Sequence, residues 1–226
     1  MRPLLALFLV GVVGFASSVA GFYLPGVAPT NYADGDMIDV KVVKLDSIKT
    51  QLPYDYYSLP FCRPSNIQEA AENLGEVLSG DHIENSLYKV FMDLPQSCQI
   101  VCRQQYTDDE LAEFADKIEE EYRVNWLLDN LPAATKYYTA ALPTDDTQEK
   151  FVQHYEKGFA LGFVGSNEIQ NSEAKVKYLN NHLRLIVFYH KDEQSFKGSR
   201  VVGFEVEAYS VAHKLAPGTN WQEPTS

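Results

Sequence analysis

The sequence predicts a mainly β protein, β-sandwich-like, with one amphipathic helix around residues 108–123. Three observations predict it. Short apolar segments recur at regular spacing through most of the chain, separated by turn residues. Only the stretch from Asp108 to Arg123 carries a sustained helical period with its own start signal. After the first twenty residues, no segment is long and apolar enough to cross a bilayer.

Taken in order, the chain opens with a short basic start at Arg2, an apolar core from Leu4 to Val13, and small residues at Ser18 and Ala20. That is the layout of a cleaved signal peptide over residues 1–20. The apolar run is short against the roughly 20 residues a membrane span needs. The mature chain is therefore expected to be soluble and to face a lumen or the exterior. Ile38, Val40 and Val42 alternate with Asp39, Lys41 and Val43, which predicts a half-buried strand over Met37–Leu45. Pro53, Pro60 and Pro64 bracket the aromatic segment Tyr54-Asp55-Tyr56-Tyr57, and proline at that density excludes both a helix and a central strand.

Ile67–Leu78 reads two ways: Ser65 with Gln68 and the pair Ala70-Ala71 favour a helix, while Gly75 argues against a long one. Gly80-Asp81 is a turn, and Leu87–Leu94 and Cys98–Arg103 are expected strands. Thr107 and Glu110 form a capping box for the helix, with acids in its first turn. Leu111, Phe114, Ala115, Ile118 and Tyr122 fall on one helical face, the spacing of a core contact. Strands follow at Val124–Leu131, Tyr137–Leu142, Phe159–Val164, Val176–Leu179, Leu183–Tyr189 and Val201–Tyr209. Asn180-Asn181 is expected to form a tight turn between two of them, and Thr144–Glu156 is polar and read as a loop or short helix. Pro217–Ser226 has linker composition. The main domain is assigned to residues 21–213 and a tether to 214–226.

A net charge of −12 and a pI near 4.8 disfavour nucleic acid and anionic lipid headgroups as partners. The three cysteines, Cys62, Cys98 and Cys102, predict a disulfide in an oxidising lumen, with one thiol left free or paired to another chain. Cys98-x-x-x-Cys102 with one distant cysteine and no neighbouring histidine is a poor zinc set. Neither Asn85-Ser86-Leu87 nor Asn171-Ser172-Glu173 completes a glycosylation acceptor.

Nucleophile elbow, P-loop, dinucleotide and zinc-protease patterns are missing from the sequence. The five histidines, His82, His154, His182, His190 and His213, are scattered singly and read as surface or strand residues, with pH sensing as the functional alternative. The acid clusters Asp108–Glu110 and Glu119–Glu121 sit on the helix and lack the glycine turn of a calcium loop. No cofactor or metal is expected. Tyr54, Tyr56 and Tyr57 are the candidate contact loop: exposed tyrosines stack on a sugar or touch a peptide, and packing against the sheet explains the same residues.

Several stretches together resemble the luminal domain of the transmembrane 9 superfamily, the nonaspanins. They are Gly21–Leu24 with Pro25-Gly26, running into Gly35-Asp36; the segment Leu52–Cys62; Glu72–Leu78 followed by Gly80–Ser86; Val124–Pro132; and Val202–Val206. The resemblance implies a signal peptide, a luminal domain ahead of a nine-span membrane region, residence in Golgi and endosomal membranes, and a part in sorting and surface delivery of other membrane proteins. It attaches no enzymatic activity. The implied partners are membrane-protein cargo and the multi-span region itself, with no nucleic acid or small-molecule substrate. It also implies that Cys62 and Cys102 pair, leaving Cys98 as the extra thiol; closing that roughly 40-residue loop is worth about 4 kcal/mol. The competing expectation is a secreted carbohydrate- or peptide-binding β domain without a membrane part.

Overall fold

A computed structural model describes residues 29–70, 80–140, 151–167, 172–192 and 194–212. The signal segment, most of Ile67–Leu78, residues 144–150, His213 and the tether lie outside the described residues. Twelve strands and one α-helix are present among them. They are β1 (Met37–Asp46), β2 (Tyr54–Asp55), β3 (Glu84–Phe91), α1 (Asp108–Glu119), β4 (Arg123–Leu128) and β5 (Leu131–Pro132), then β6 (Ala134–Ala140), β7 (Phe151–Lys157), β8 (Phe159–Ala160), β9 (Gly162–Asn167), β10 (Ser172–Leu179), β11 (His182–Lys191) and β12 (Ser199–Tyr209). The mainly β expectation holds.

One sheet has the order β2-β1-β4-β5, with β3 on β1 and β8 on β4; a second has the order β11-β12-β6-β7; β9 and β10 form a hairpin by themselves. Ile38, Val40, Val42 and Leu45 of β1 and Val124, Trp126 and Leu128 of β4 meet Val201, Phe204 and Val206 of β12 in one core. The two sheets therefore bury their apolar faces against each other, the arrangement that makes a sandwich stable.

Two register shifts make that core possible. In β1, Val42 opposes Trp126 while Lys44 opposes Asn125, so Val43 is the extra residue of a bulge. A strand alternates strictly, and without the bulge Leu45 would face away from Val42. With it, Leu45 rejoins the main core and Val43 packs with Ile83 and Leu127 in a second cluster. The sequence reading put Val43 on the polar face; the bulge gives it a core of its own. In β12 the residue Val202 is skipped between the pairs Phe188–Gly203 and Tyr189–Val201, which lets both Val201 and Phe204 face inward.

Helix α1 begins where the sequence predicts. The Thr107 amide donates to Glu110 Oε2 at 2.8 Å and the Glu110 amide donates to Thr107 Oγ1 at 3.3 Å. It ends four residues early, at Glu119. The Glu121 amide donates to the Ile118 carbonyl and the Tyr122 amide to the Lys117 carbonyl, with Glu121 at φ 56°. This is a Schellman stop with glutamate where glycine usually stands, so the sequence carried no stop signal. It turns Tyr122 into the core as a loop residue, while Leu111 of the expected stripe is exposed.

Three further expectations are corrected, and the proline-bounded segment is refined. Cys98–Arg103 forms no strand; it runs irregular and mostly exposed, with no strand beside it to pair. The described part of Thr144–Glu156, expected as loop or short helix, lies in strand β7, Phe151–Lys157, held by register with β6 and not by burial, so apolar periodicity could not reveal it. Asn180-Asn181 is not a hairpin turn: β10 pairs β9 and β11 pairs β12, and the two asparagines hand the chain between sheets. The Asn180 side chain donates to the Ala160 carbonyl and the Asn181 side chain to the Val211 carbonyl, which ties the crossing to both neighbours. Tyr54–Asp55 is a two-residue edge strand followed by one 3-10 turn, Tyr56–Ser58. Proline excluded a central strand there but not an edge.

Candidate functional site

The Tyr-rich loop runs inward. Tyr56 and Tyr57 are buried, and the Tyr56 ring stacks on Phe61 with centroids 4.2 Å apart. Phe61 meets Phe114 of α1 edge-on at 5.4 Å, and Phe114 meets Tyr106 at 5.1 Å. On the other side Tyr56 faces Trp126, whose ring also contacts Tyr88 and Phe159. A continuous aromatic chain thus joins β4, the Pro-bounded loop, the helix and the segment before it. Tyr54 is half-buried, edge-on to Tyr122 at 5.5 Å, with the Lys117 ammonium 4.1 Å from its ring. Of the two readings of this loop, contact or packing against the sheet, packing accounts for Tyr56 and Tyr57, whose rings are buried.

The cysteines lie at the ends of this chain of rings. Cys62 follows Phe61, and Cys102 precedes Tyr106 by four residues; the two are bonded, with Cα atoms 6.3 Å apart. The bond ties the irregular segment 94–106 to the loop at 61–64. Cys98 is exposed and outside the bond.

Behind this strap lies a cleft of about 1620 Å³. Tyr88 and Val90 of β3, Trp126 of β4, and Leu183, Leu185 and Val187 of β11 supply its apolar wall, and the strap with Cys98 and Cys102 forms its rim. Asp93 joins rim to wall: its carboxylate accepts from Tyr189 Oη at 2.5 Å and from Lys191 Nζ at 2.8 Å. Those hydrogen bonds, from Lys191 first, hold the Asp93 carboxyl below its usual range. Lys191 also meets Asp34 at 2.8 Å, and the two acids hold its ammonium well above its ordinary range. No local pattern marks this clamp, because Asp34, Asp93 and Lys191 lie between 59 and 157 positions from one another (93 − 34 and 191 − 34).

The phenols of the region are held neutral. Burial pushes Tyr57 up to about 12, and raises Tyr56, Tyr88 and Tyr106 as well. Tyr57 Oη donates to the Asn85 carbonyl at 2.8 Å. His82 meets Glu69 at 3.1 Å, and His154 stacks on Tyr137. Among the described residues no group of His, Cys, Asp and Glu is arranged to hold a metal ion. The helix-end acids are spent on ion pairs: Glu119 with Lys177, Glu120 with Lys117 and Glu121 with Lys49.

A stapled β domain with an apolar cleft defines a class, and sequence comparison specifies it. The profile of the family Endomembrane protein 70 matches residues 53–225. The chain is 47% identical over 197 residues to transmembrane 9 superfamily member 10 of Arabidopsis thaliana, covering 87% of this chain and 29% of that protein. It is 43% identical over 202 residues to transmembrane 9 superfamily member 4 of Homo sapiens (85% and 30%), and 39% identical over 219 residues to putative phagocytic receptor 1a of Dictyostelium discoideum (93% and 32%). The chain belongs to the Endomembrane protein 70 family, the transmembrane 9 superfamily. It spans less than a third of the length of these curated relatives. No solved structure matches it. Among the described residues no helix is long and apolar enough to cross a membrane.

Proposed function

We propose that this chain is the lumen-facing, non-catalytic domain of a transmembrane 9 protein that takes part in sorting membrane proteins in Golgi and endosomal membranes and delivering them to the cell surface. The observation that carries the reading is the match to the Endomembrane protein 70 profile over residues 53–225, together with relatives of the transmembrane 9 superfamily. One relative is named a putative phagocytic receptor. The geometry supports contact and not group transfer. The cleft wall is apolar and aromatic, its phenols are held neutral by burial, and the strap is stapled in place. Such a surface recognises by shape and apolar area.

The test is removal of the full-length protein from cells, followed by surface labelling of the membrane proteome. A set of proteins retained in Golgi or endosomes, and restored to the surface by the wild-type gene, is the expected result. An unchanged surface proteome, or a protein found in the cytosol by protease protection, overturns the reading.

A further inference from the structure

The cleft behind the strap is larger than its own side chains fill. At about 1620 Å³ it exceeds the roughly 300–1,000 Å³ of ordinary small-molecule pockets. The space between two packed sheets is normally taken up by side chains from both inner faces. Here Leu94 and Ile100 of the strap line the cleft and are still 53% and 56% exposed. The strap therefore rims the opening without filling it, and an apolar occupant would cover both residues.

Two observations define that occupant. The first is the lack of charge on the wall. Side chains alternate across a strand. On β3, Tyr88 and Val90 pack against the core while Lys89 between them is exposed. On β11, Leu183 and Leu185 pack against the core while Arg184 between them is exposed and meets Glu207 at 3.3 Å. At the rim, Arg103 belongs to the strap and Asp93 is already held by Tyr189 and Lys191. The wall itself is uncharged, so an ionised head group placed against it would lose its hydration and gain no counter-charge.

The second observation is a pair of orphaned polar atoms. Trp126 lines the cleft and is 1% exposed, yet its indole Nε1 has no acceptor among the described residues. A buried indole N–H ordinarily finds a partner. Asn180 also lines the cleft; its Nδ2 donates to the Ala160 carbonyl, but its buried Oδ1 receives no hydrogen bond. One cleft thus offers an unused donor and an unused acceptor on an otherwise apolar, aromatic surface. A hydroxyl-bearing molecule answers both, because a hydroxyl oxygen accepts and its hydrogen donates.

We propose that the cleft binds an uncharged lipid that carries a hydroxyl group, with its chain along Leu183, Leu185 and Val187 and an oxygen accepting from Trp126 Nε1. Occupancy of the cleft is independent of the sorting role.

The experiment uses the purified chain with radiolabelled monoolein, an uncharged lipid with free hydroxyls, and oleate, which has the same acyl chain and a charge. Both are held below the concentration at which they aggregate. Monoolein is expected to bind saturably, and oleate about tenfold more weakly or worse because its carboxylate must be desolvated. Bound monoolein is expected to slow amide exchange in the strap and β11 and to leave the β6–β7 ribbon unchanged. Trp126→Phe keeps a ring and removes the donor; it is expected to weaken monoolein about threefold to tenfold. Ile100→Asp puts a charge on an exposed lining residue and is expected to weaken it about tenfold. Val202→Ser, on an exposed residue of β12, is the control and is expected to leave binding unchanged. Should a variant fail to fold, the wild-type comparison of the two lipids and the exchange pattern still decide. No saturable binding of monoolein, oleate binding as tightly, or protection of the ribbon in place of the strap and β11 overturns the proposal. Full affinity in a folded Trp126→Phe variant overturns it as well.

Discussion

Strands β4 and β7 are of similar length and both carry aromatic residues, yet they end in opposite environments. β4 buries five consecutive residues, Val124 to Leu128, between β1 on one edge and β5 and β8 on the other. β7 leaves all but one of its residues exposed and, among the described residues, has a neighbour on one edge only. β4 is somewhat richer in apolar residues, but both strands carry enough to line a core. What separates them is the number of elements packed around each, and that is a property of the fold. The lesson is that aromatic residues hold the structure together in the first strand and are available for contact in the second.

Substitutions sharpen this contrast, and the largest effect is expected at Trp126. Its ring touches Tyr56, Tyr88 and Phe159 from the centre of β4. Trp126→Ala is expected to cost about 3–5 kcal/mol in urea denaturation, the range for removing a buried aromatic. Next comes the staple. Cys62→Ser with Cys102→Ser opens a loop of 40 residues and is expected to cost about 2–4 kcal/mol. Hydrogen exchange after that change is expected to rise first in the strap and not in the ribbon. A smaller loss, about 1 kcal/mol, is expected for Thr107→Ala, which removes the helix cap. On the ribbon, Tyr138→Ser is expected to change stability by no more than about 0.5 kcal/mol, because an exposed ring has little packing to lose. A large destabilisation there would break the comparison, since it would mean the ribbon is part of the core energetics.

The smallest effect concerns pH. Hydrogen bonding to Glu69, and then the charge of Asp55, raise His82 above its ordinary value. A histidine raised on folding contributes stability that is present below about pH 6.5 and lost as pH rises through its folded value. Burial raises the nearby Glu84, with Asp55 and Glu69 adding to it. A carboxyl raised on folding costs stability at neutral pH, a cost that is relieved as pH falls toward its folded value. The two signs agree: the thermal midpoint is expected to rise slightly from pH 7.4 to 5.5, and His82→Asn with Glu84→Gln to flatten the profile. A wild-type midpoint that does not move over that range removes any pH-sensing role from His82.

Much of the fold was legible where a residue's own neighbours in sequence decide its state. Thr107 and Glu110 cap a helix wherever it sits, and alternation in Met37–Leu45 and Val201–Tyr209 marked two strands that carry the core. The candidate site was legible only in parts. The three cysteines and the Tyr-Asp-Tyr-Tyr segment stood out as residues, but nothing local says that Tyr56 turns inward to Trp126 or that β11 closes a cleft opposite the strap.

Left to itself, the sequence determined the mainly β class, the helix start and the family, since each depends on short-range patterns of residue type. Tertiary structure alone decided the bulges at Val43 and Val202, the Schellman stop at Glu121, the sheet-to-sheet crossing at Asn180-Asn181 and the exposure of β7. Each of these is fixed by hydrogen bonds and packing between residues brought together by the chain's path, and such pairings leave no periodic trace in the residues themselves.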